Sequence, residues 1–397
     1  MKNKIELISS CLDEREVDLW QLREYAISEG GFVNSKYQIP PSFRVIHVYC
    51  TQCIIFHMCT LILRYSIGSL RRRAWSKLVG VNNMTSSSKK PIDVKKLCQS
   101  FSEDVCSKRG EEIKLIDRDL NRSVLIRHLQ PSPSFDHASK SQSPTSKFDQ
   151  PQAPPCNRIG KHQMYLGYVL KSVTAQSDAN SPNRFHYYQG YHDVAAMFLL
   201  NVVNPQLASN ILGKVSKSHF RDAMRKDFSC IHGTLKTVLF PLIDELDEDI
   251  HESLMISEID ESVVLPWIIS WFSHDLQDAN LSSRLFDFFI ASHPLMPVYF
   301  AIAIIVNSQL KKQILNSDDD TASMYVTISS LLSKISNENG ANPEDPCPSL
   351  TSTGSFSSVA TEETREEQVA NESYKIVDTI GGTINVQTLI DEAIEIM

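Results

Sequence analysis

The stretch FHYYQGYHDVAAMFLL, residues 185–200, sets four aromatic or imidazole side chains before a Gln-Gly pair and follows the pair with a nearly unbroken apolar run. A helix that is apolar all round does not lie on a water-facing surface; it belongs inside a multi-layer helical domain or in a membrane. The run continues to 203, well short of the roughly 20 residues that span a bilayer, so the first setting is the expected one. The segment 297–306 reads the same way. Around these two, MYLGYVLKSVTA, LKTVLFPLIDEL, VLPWIISWFSHDL and SRLFDFFIAS space their apolar residues at three and four positions, and strand alternation is scarce. The fold class expected for 157–336 is all-α, with many helices.

Composition agrees and narrows the function. With 397 residues, the chain can form two or three domains or one large domain with insertions. A net charge of −8 argues against a nucleic-acid partner, because neutralising phosphates takes clustered Lys and Arg. Nine cysteines, an odd number scattered along the chain, do not form a secreted disulfide framework and point to a reducing compartment. The first twenty residues carry several acidic side chains and no apolar core, so no cleavable signal is expected and the chain is placed in the cytoplasm.

Outward from the apolar run, residues 12–29 read as one helix stopped by Gly30 and Gly31, and 92–130 as helix broken near Gly110. The stretch 45–63 has nineteen positions without Lys, Arg, Asp or Glu, long enough for a membrane span but diluted by two histidines, a Gln and two threonines. Its His47, Cys50, Cys53 and His57 resemble a zinc set only superficially, since the loop between the pairs is too short. Residues 131–156, rich in Pro and Ser, read as a disordered insertion, and 337–372 as a polar linker. The apolar spacing of Val386, Leu389, Ile390, Ala393 and Ile394 predicts a short helix within 373–397.

No Gly-rich phosphate loop, G-x-S-x-G elbow or H-E-x-x-H pair is present. Three small clusters remain: RRRAW at 71–75, IDRDLNR at 116–122 and YYQG at 187–190. In the second, Leu115, Asp119, Arg122 and Ile126 fall at helical spacing, which predicts Asp119 and Arg122 on one face. That pair is either an ordinary surface ion pair or a carboxylate orienting a guanidinium toward an external phosphate. In the third, Gly190 and Gln189 form either a plain turn before a core helix or something presented from it. Spacing alone does not connect Arg122 with Gln189.

Together the three clusters resemble the fingerprint motifs of the TBC-domain family of Rab GTPase-activating proteins, R-x-x-x-W, I-x-x-D-x-x-R and Y-x-Q-G. They stand here as Arg71 to Trp75, Ile116–Asp119–Arg122 and Tyr187–Gln189–Gly190, intact and in family order. The resemblance covers about residues 14–36, 67–130 and 157 to the end, and is nearest the branch anchored on the endoplasmic reticulum by a C-terminal span. It implies a TBC domain made of 1–36, 67–130 and 157–336, interrupted by an atypical apolar insertion at 37–66 and the Pro/Ser-rich one. It implies Arg122 as an arginine finger and Gln189 as a glutamine finger. Asp119, Arg71, Trp75, Ile116, Tyr187 and Gly190 support them, and Tyr188 and Tyr191 are left open between interface and core. The partner implied is a GTP-bound Rab GTPase, with GTP and Mg2+ belonging to it; no cofactor or metal of the chain's own is expected. The sequence stops at Met397 without the branch's span, so membrane contact, at the endoplasmic reticulum or Golgi, is expected to be indirect. A non-catalytic Rab-binding scaffold, impaired by the 37–66 insertion, is the alternative.

Overall fold

A computed structural model describes residues 4–14, 16–32, 70–81, 110–120, 122–123, 156–176, 184–276, 278–318, 320–337 and 383–397. The 37–66 stretch, with its candidate span and its Cys/His set, lies outside these residues. So do nearly all of 131–156 and 337–372.

The centre of the molecule is the helix that the opening stretch leads into, here α6, Tyr191–Val202, in which every side chain but Leu200 is buried. It is sandwiched in the expected way between α5 (Cys156–Ala175), α7 (Pro205–Ser218), α10 (Leu265–Ser270) and α11 (Ala279–Ala291). Upstream come α1 (Lys4–Asp13), α2 (Leu19–Ile27), α3 (70–78) and α4 (Gly110–Asp119). The pair α8 (Ser229–Leu246) and α9 (Glu248–Ile256) precedes α10, and α12 (Met296–Val306), α13 (Lys311–Leu315) and α14 (Thr321–Ser330) follow α11. A two-residue parallel pairing of β1 (Ile335–Ser336) with β2 (Ile384–Asn385) leads into α15 (Val386–Ile396). Among the described residues the fold is all-α apart from that pairing.

The second all-apolar segment, α12, is likewise interior: Pro297 opens its first turn, and α8, α10 and α15 cover it. Burying each large apolar side chain contributes about 1.5–3 kcal/mol, so α6 and α12 set where the other helices can pack. Aromatic rings fill the space between. Trp271 lies 4.6 Å from Phe220, 5.2 Å from Phe286 and 5.4 Å from Phe289, centroid to centroid.

Two sequence expectations need correction. The helix read over 12–29 is two helices, because the Asp18 carboxylate accepts the Trp20 and Gln21 amides (2.9 and 3.1 Å) and so starts a new helix as its N-cap. The helical face predicted for Leu115, Asp119 and Arg122 does not exist either. The helix ends at Asp119, Leu115 is exposed while Asp119 is buried, and Arg122 sits in the following turn, its N–H donating to the Asp119 carbonyl at 2.9 Å. Among the described residues no helix is long and apolar enough to cross a membrane.

Candidate functional site

The segment 184–188 has no regular secondary structure and lies along α4. Three contacts hold it. Glu112 faces Arg184 Nη2 at 3.3 Å and His186 Nδ1 at 3.1 Å; one helix face further on, seven residues away, Asp119 Oδ2 accepts the Tyr187 hydroxyl at 2.8 Å. From the other side the His186 N–H donates to the Met224 carbonyl at 2.8 Å, and Tyr188 Oη to the Ile269 carbonyl at 2.8 Å. Tyr187 and Tyr188 are thereby buried to 7% and 8% exposure, and Tyr191 fully. The tyrosines beside the Gln-Gly pair are core in this fold. Burial, then the bond to Asp119, push the Tyr187 phenol far above its ordinary value, so it remains a donor to the carboxylate.

Gly190 turns this segment into α6. Its φ of 103° is the left-handed region that side chains avoid, and its carbonyl takes the Asp193 N–H at 3.0 Å as the helix begins. The tight turn leaves Gln189 exposed between buried Tyr188 and half-buried Gly190. Arg122 is exposed in the same way, one turn beyond buried Asp119. Among the described residues no carboxylate pairs with Arg122 within ion-pair distance. The long, planar guanidinium and the carboxamide therefore stand outside a rigid base, both able to donate to oxygens of an incoming partner.

The base between them joins two motif residues, Asp119 and Tyr187, to buried polar groups that the motifs do not include. His192 Nδ1 accepts the Gly190 N–H at 3.3 Å, lies 3.3 Å from Tyr187 Oη and 3.9 Å from Asp119 Oδ2. Its Nε2 lies 3.5 Å from Asp193 Oδ1, and the other oxygen of Asp193, a fully buried carboxylate, meets His274 Nδ1 at 2.7 Å. His274 arrives there because two consecutive residues, Trp271 (φ 49°) and Phe272 (φ 65°), take left-handed backbone after α10. Such residues cost of order 1–3 kcal/mol each unless packing holds them, and the aromatic cluster around Trp271 does so. Burial pushes the His192 imidazole below its ordinary range, against the nearby Asp193 and Asp119 carboxylates. Only the histidines flanking Gln-Gly in the opening stretch, 186 and 192, hint at this in the sequence; Glu112, Arg184 and His274 carry no local signal.

The first motif does something different. Arg71 Nε and Nη2 donate to Asp287 at 3.0–3.1 Å, Trp75 Nε1 donates to Asp287 Oδ1 at 2.8 Å and the Phe32 N–H to Oδ2 at 3.2 Å. Arg71 Nη1 reaches Asn201 Oδ1 at 3.3 Å, near the C-terminal end of α6. At 1.5 Å per residue Asn201 is about 15 Å along the helix from its start at Tyr191, next to the turn that carries Gln189. Arg71 and Trp75 thus clamp α3 to α11 and α6 rather than stand beside the exposed pair. Ile116 is fully buried on α4 and belongs to the core beneath it.

Arg122 and Gln189 are thus both exposed beside the buried Asp119–Tyr187–His192 base. Residues 163–315 match the Rab-GTPase-TBC domain. It is 28% identical over 330 residues to TBC1 domain family member 20 of Homo sapiens, and 29% over 330 residues to that of Mus musculus, each match covering 83% of this chain. The chain spans 63% of the length of these relatives. GTPase-activating protein gyp10 of Schizosaccharomyces pombe is 34% identical over 125 residues, 31% of this chain and 32% of that one. Among solved structures, the Chlamydomonas flagellar RabGAP TBC domain matches with a TM-score of 0.38 and 14% identity, covering 84% of this chain and 91% of that one.

Proposed function

We propose that the chain is a GTPase-activating protein for a GTP-bound Rab-family GTPase, and that Arg122 and Gln189 enter the partner's active site as arginine and glutamine fingers. The observation that carries the reading is the exposure of these two side chains from one buried base, Asp119–Tyr187–His192. The Rab-GTPase-TBC match and the name of the gyp10 relative support the activity and the partner class.

In the reaction, water attacks the γ-phosphorus, the bond from that phosphorus to the β–γ bridging oxygen breaks, and GDP and inorganic phosphate leave. Negative charge moves onto the transferred oxygens and the bridging oxygen. Arg122 offsets it with a planar set of N–H donors, an effect of about 10³–10⁵ on rate. The Gln189 carboxamide accepts a hydrogen bond from the attacking water through its oxygen and donates to a phosphate oxygen through its nitrogen, fixing the angle of attack. Asp119 and Tyr187 act indirectly: they tie the turn that carries Arg122 to the segment that carries Gln189. Nucleotide and Mg2+ come with the partner, and vesicle transport at endoplasmic reticulum or Golgi membranes is the process the resemblance supports.

The test is a panel of GTP-loaded Rab proteins in single-turnover hydrolysis. At least one is expected to be accelerated by the parent chain, and Arg122→Ala and Gln189→Ala are each expected to lose about a hundredfold or more with unchanged circular dichroism. Variants as fast as the parent would remove the finger assignment. Tight GTP-dependent binding with no acceleration by the parent would leave a binding scaffold instead.

A further inference from the structure

The two fingers are held by different pieces of chain, Arg122 by the turn after α4 and Gln189 by the turn before α6. One side chain touches both. His192 Nδ1 takes the N–H of Gly190, the residue after Gln189, and the same nitrogen stands against Tyr187 Oη and Asp119 Oδ2, the bond that fixes the Arg122 turn. The imidazole is 3% exposed, so water does not substitute for it.

Resting on the finger reading above, we propose that His192 is a positioning residue that holds the Gln189 turn in register with the Arg122 turn through its neutral, Nε2–H tautomer, and that protonating it uncouples the two. The tautomer follows from hydrogen-bond directions. Nδ1 accepts from the Gly190 N–H and so carries no proton, which leaves the proton on Nε2, on the side of Asp193 Oδ1. Adding a proton at Nδ1 turns the acceptor into a donor. It then faces the Gly190 N–H as donor against donor, and is drawn to Asp119 Oδ2 and the Tyr187 oxygen instead.

The groups facing the imidazole come from every element around it. Asp119 stands at the end of α4 and Arg122 in the turn after it, Tyr187 on the 184–188 segment, Asp193 on α6 itself and His274 in the turn after α10. The two carboxylates favour the cation; burial, His274 and Arg122 oppose it, burial most strongly. At neutral pH the imidazole is therefore neutral and the link to Gly190 is made. His274, about half exposed and 2.7 Å from Asp193, is where the chain of polar groups reaches solvent.

Two substitutions separate this from a merely structural role. In His192→Asn the carboxamide oxygen falls near the place of Nδ1 and can accept the Gly190 N–H without titrating; His192→Leu keeps bulk and removes the acceptor. With the parent's best Rab substrate, His192→Leu is expected to lower kcat about tenfold or more with KM changed less than about threefold. His192→Asn is expected to restore kcat to within about threefold of the parent and to lack the parent's loss of activity in acid, where the pH falls through the lowered His192 titration. Amide hydrogen exchange at Gly190, expected to quicken about tenfold or more in His192→Leu and to stay slow in His192→Asn, reads the link without any GTPase. The 15N shifts of the His192 ring in the parent are expected to report protonation at Nε2. A Leu variant with parental kcat, an Asn variant no better than Leu, unchanged Gly190 exchange in the Leu variant or an Nδ1–H ring would each overturn the proposal. If the parent accelerates no GTPase the function reading fails by itself, and exchange and ring shifts still decide the position of His192.

Discussion

Replacing Asp287 should be among the most costly single changes in this protein. Its carboxylate is fully buried and accepts from the Arg71 guanidinium, the Trp75 indole and the Phe32 amide, four distinct donor groups counting both Arg71 nitrogens. Arg71 is itself 7% exposed at the side chain. Beside it Arg284 is so buried that its guanidinium is pulled down to about 10, with Asp287 opposing that fall and Arg71 adding to it. Asp287→Ala would leave the buried Arg71 guanidinium without its carboxylate, a cost of about 3–5 kcal/mol for a broken buried pair, and would remove the charge that offsets the neighbouring Arg284. It would also strand an indole and an amide donor at about 1–3 kcal/mol each. These terms overlap, and we expect a total of about 4–6 kcal/mol, comparable to the whole stability of many domains. The graded variant Asp287→Asn keeps one acceptor oxygen and should lose about 2–3 kcal/mol. Urea denaturation followed by circular dichroism measures both, and a cycle with Arg71→Met tests the cause. Once Asp287 is Asn, removing Arg71 should cost about 2 kcal/mol less than it does in the parent. Asp287→Asn within about 0.5 kcal/mol of the parent, or strict additivity in the cycle, would refute the view that the first motif is a buried ionic clamp.

Two glycines separate backbone strain from crowding. Gly190→Ala should destabilise by about 1–2 kcal/mol from its φ of 103° alone, since the nearest atom to an added Cβ is Ile269 Cδ1 at 4.0 Å. Gly31→Ala should cost more, because its Cβ would lie 2.7 Å from Asp287 Oδ2 and 2.9 Å from Arg284 Cδ; equal losses in urea would show that the collision is relieved freely. Stability should also fall in mild acid. Burial lowers both His192 and His219, so the unfolded chain binds these protons first. The contribution is complete above the unfolded imidazole value of about 6.5 and is lost as pH falls through the folded values. Urea midpoints measured from pH 8 to pH 5 check this, and a midpoint rising toward pH 5 would contradict it.

Much of the fold was legible because its signal is local. The apolar run after Gln-Gly and the one at 297–306 could only be interior helices at their length, and α6 and α12 are the two segments around which the rest packs. Helix ends were less legible. Asp18 restarts a helix through its own side chain, and α4 stops at Asp119 although apolar spacing continues through Ile126. In both places a side-chain or tertiary hydrogen bond outweighs a periodicity worth a few tenths of a kcal/mol per residue.

The site divides in the same manner. Arg122, Gln189, Asp119 and Tyr187 were marked by short motifs, because residue type and spacing are properties of the chain alone. That Asp119 holds Tyr187 and not the Arg122 side chain, and that Arg71 and Trp75 share Asp287 some 200 residues away, could not be read from spacing. The partners of a buried polar group are decided by which elements fold against it. His192 and His274 are the clearest case: one lies in the stretch that opened the reading and the other 82 residues later, and only the left-handed turn at Trp271 and Phe272 brings them to the two oxygens of Asp193. The sequence by itself determined that this chain is helical and where its core lies, and its motifs singled out Arg122 and Gln189. The tertiary structure decided what holds them, because burial removes water as a competitor and leaves each polar group only the partners that packing supplies.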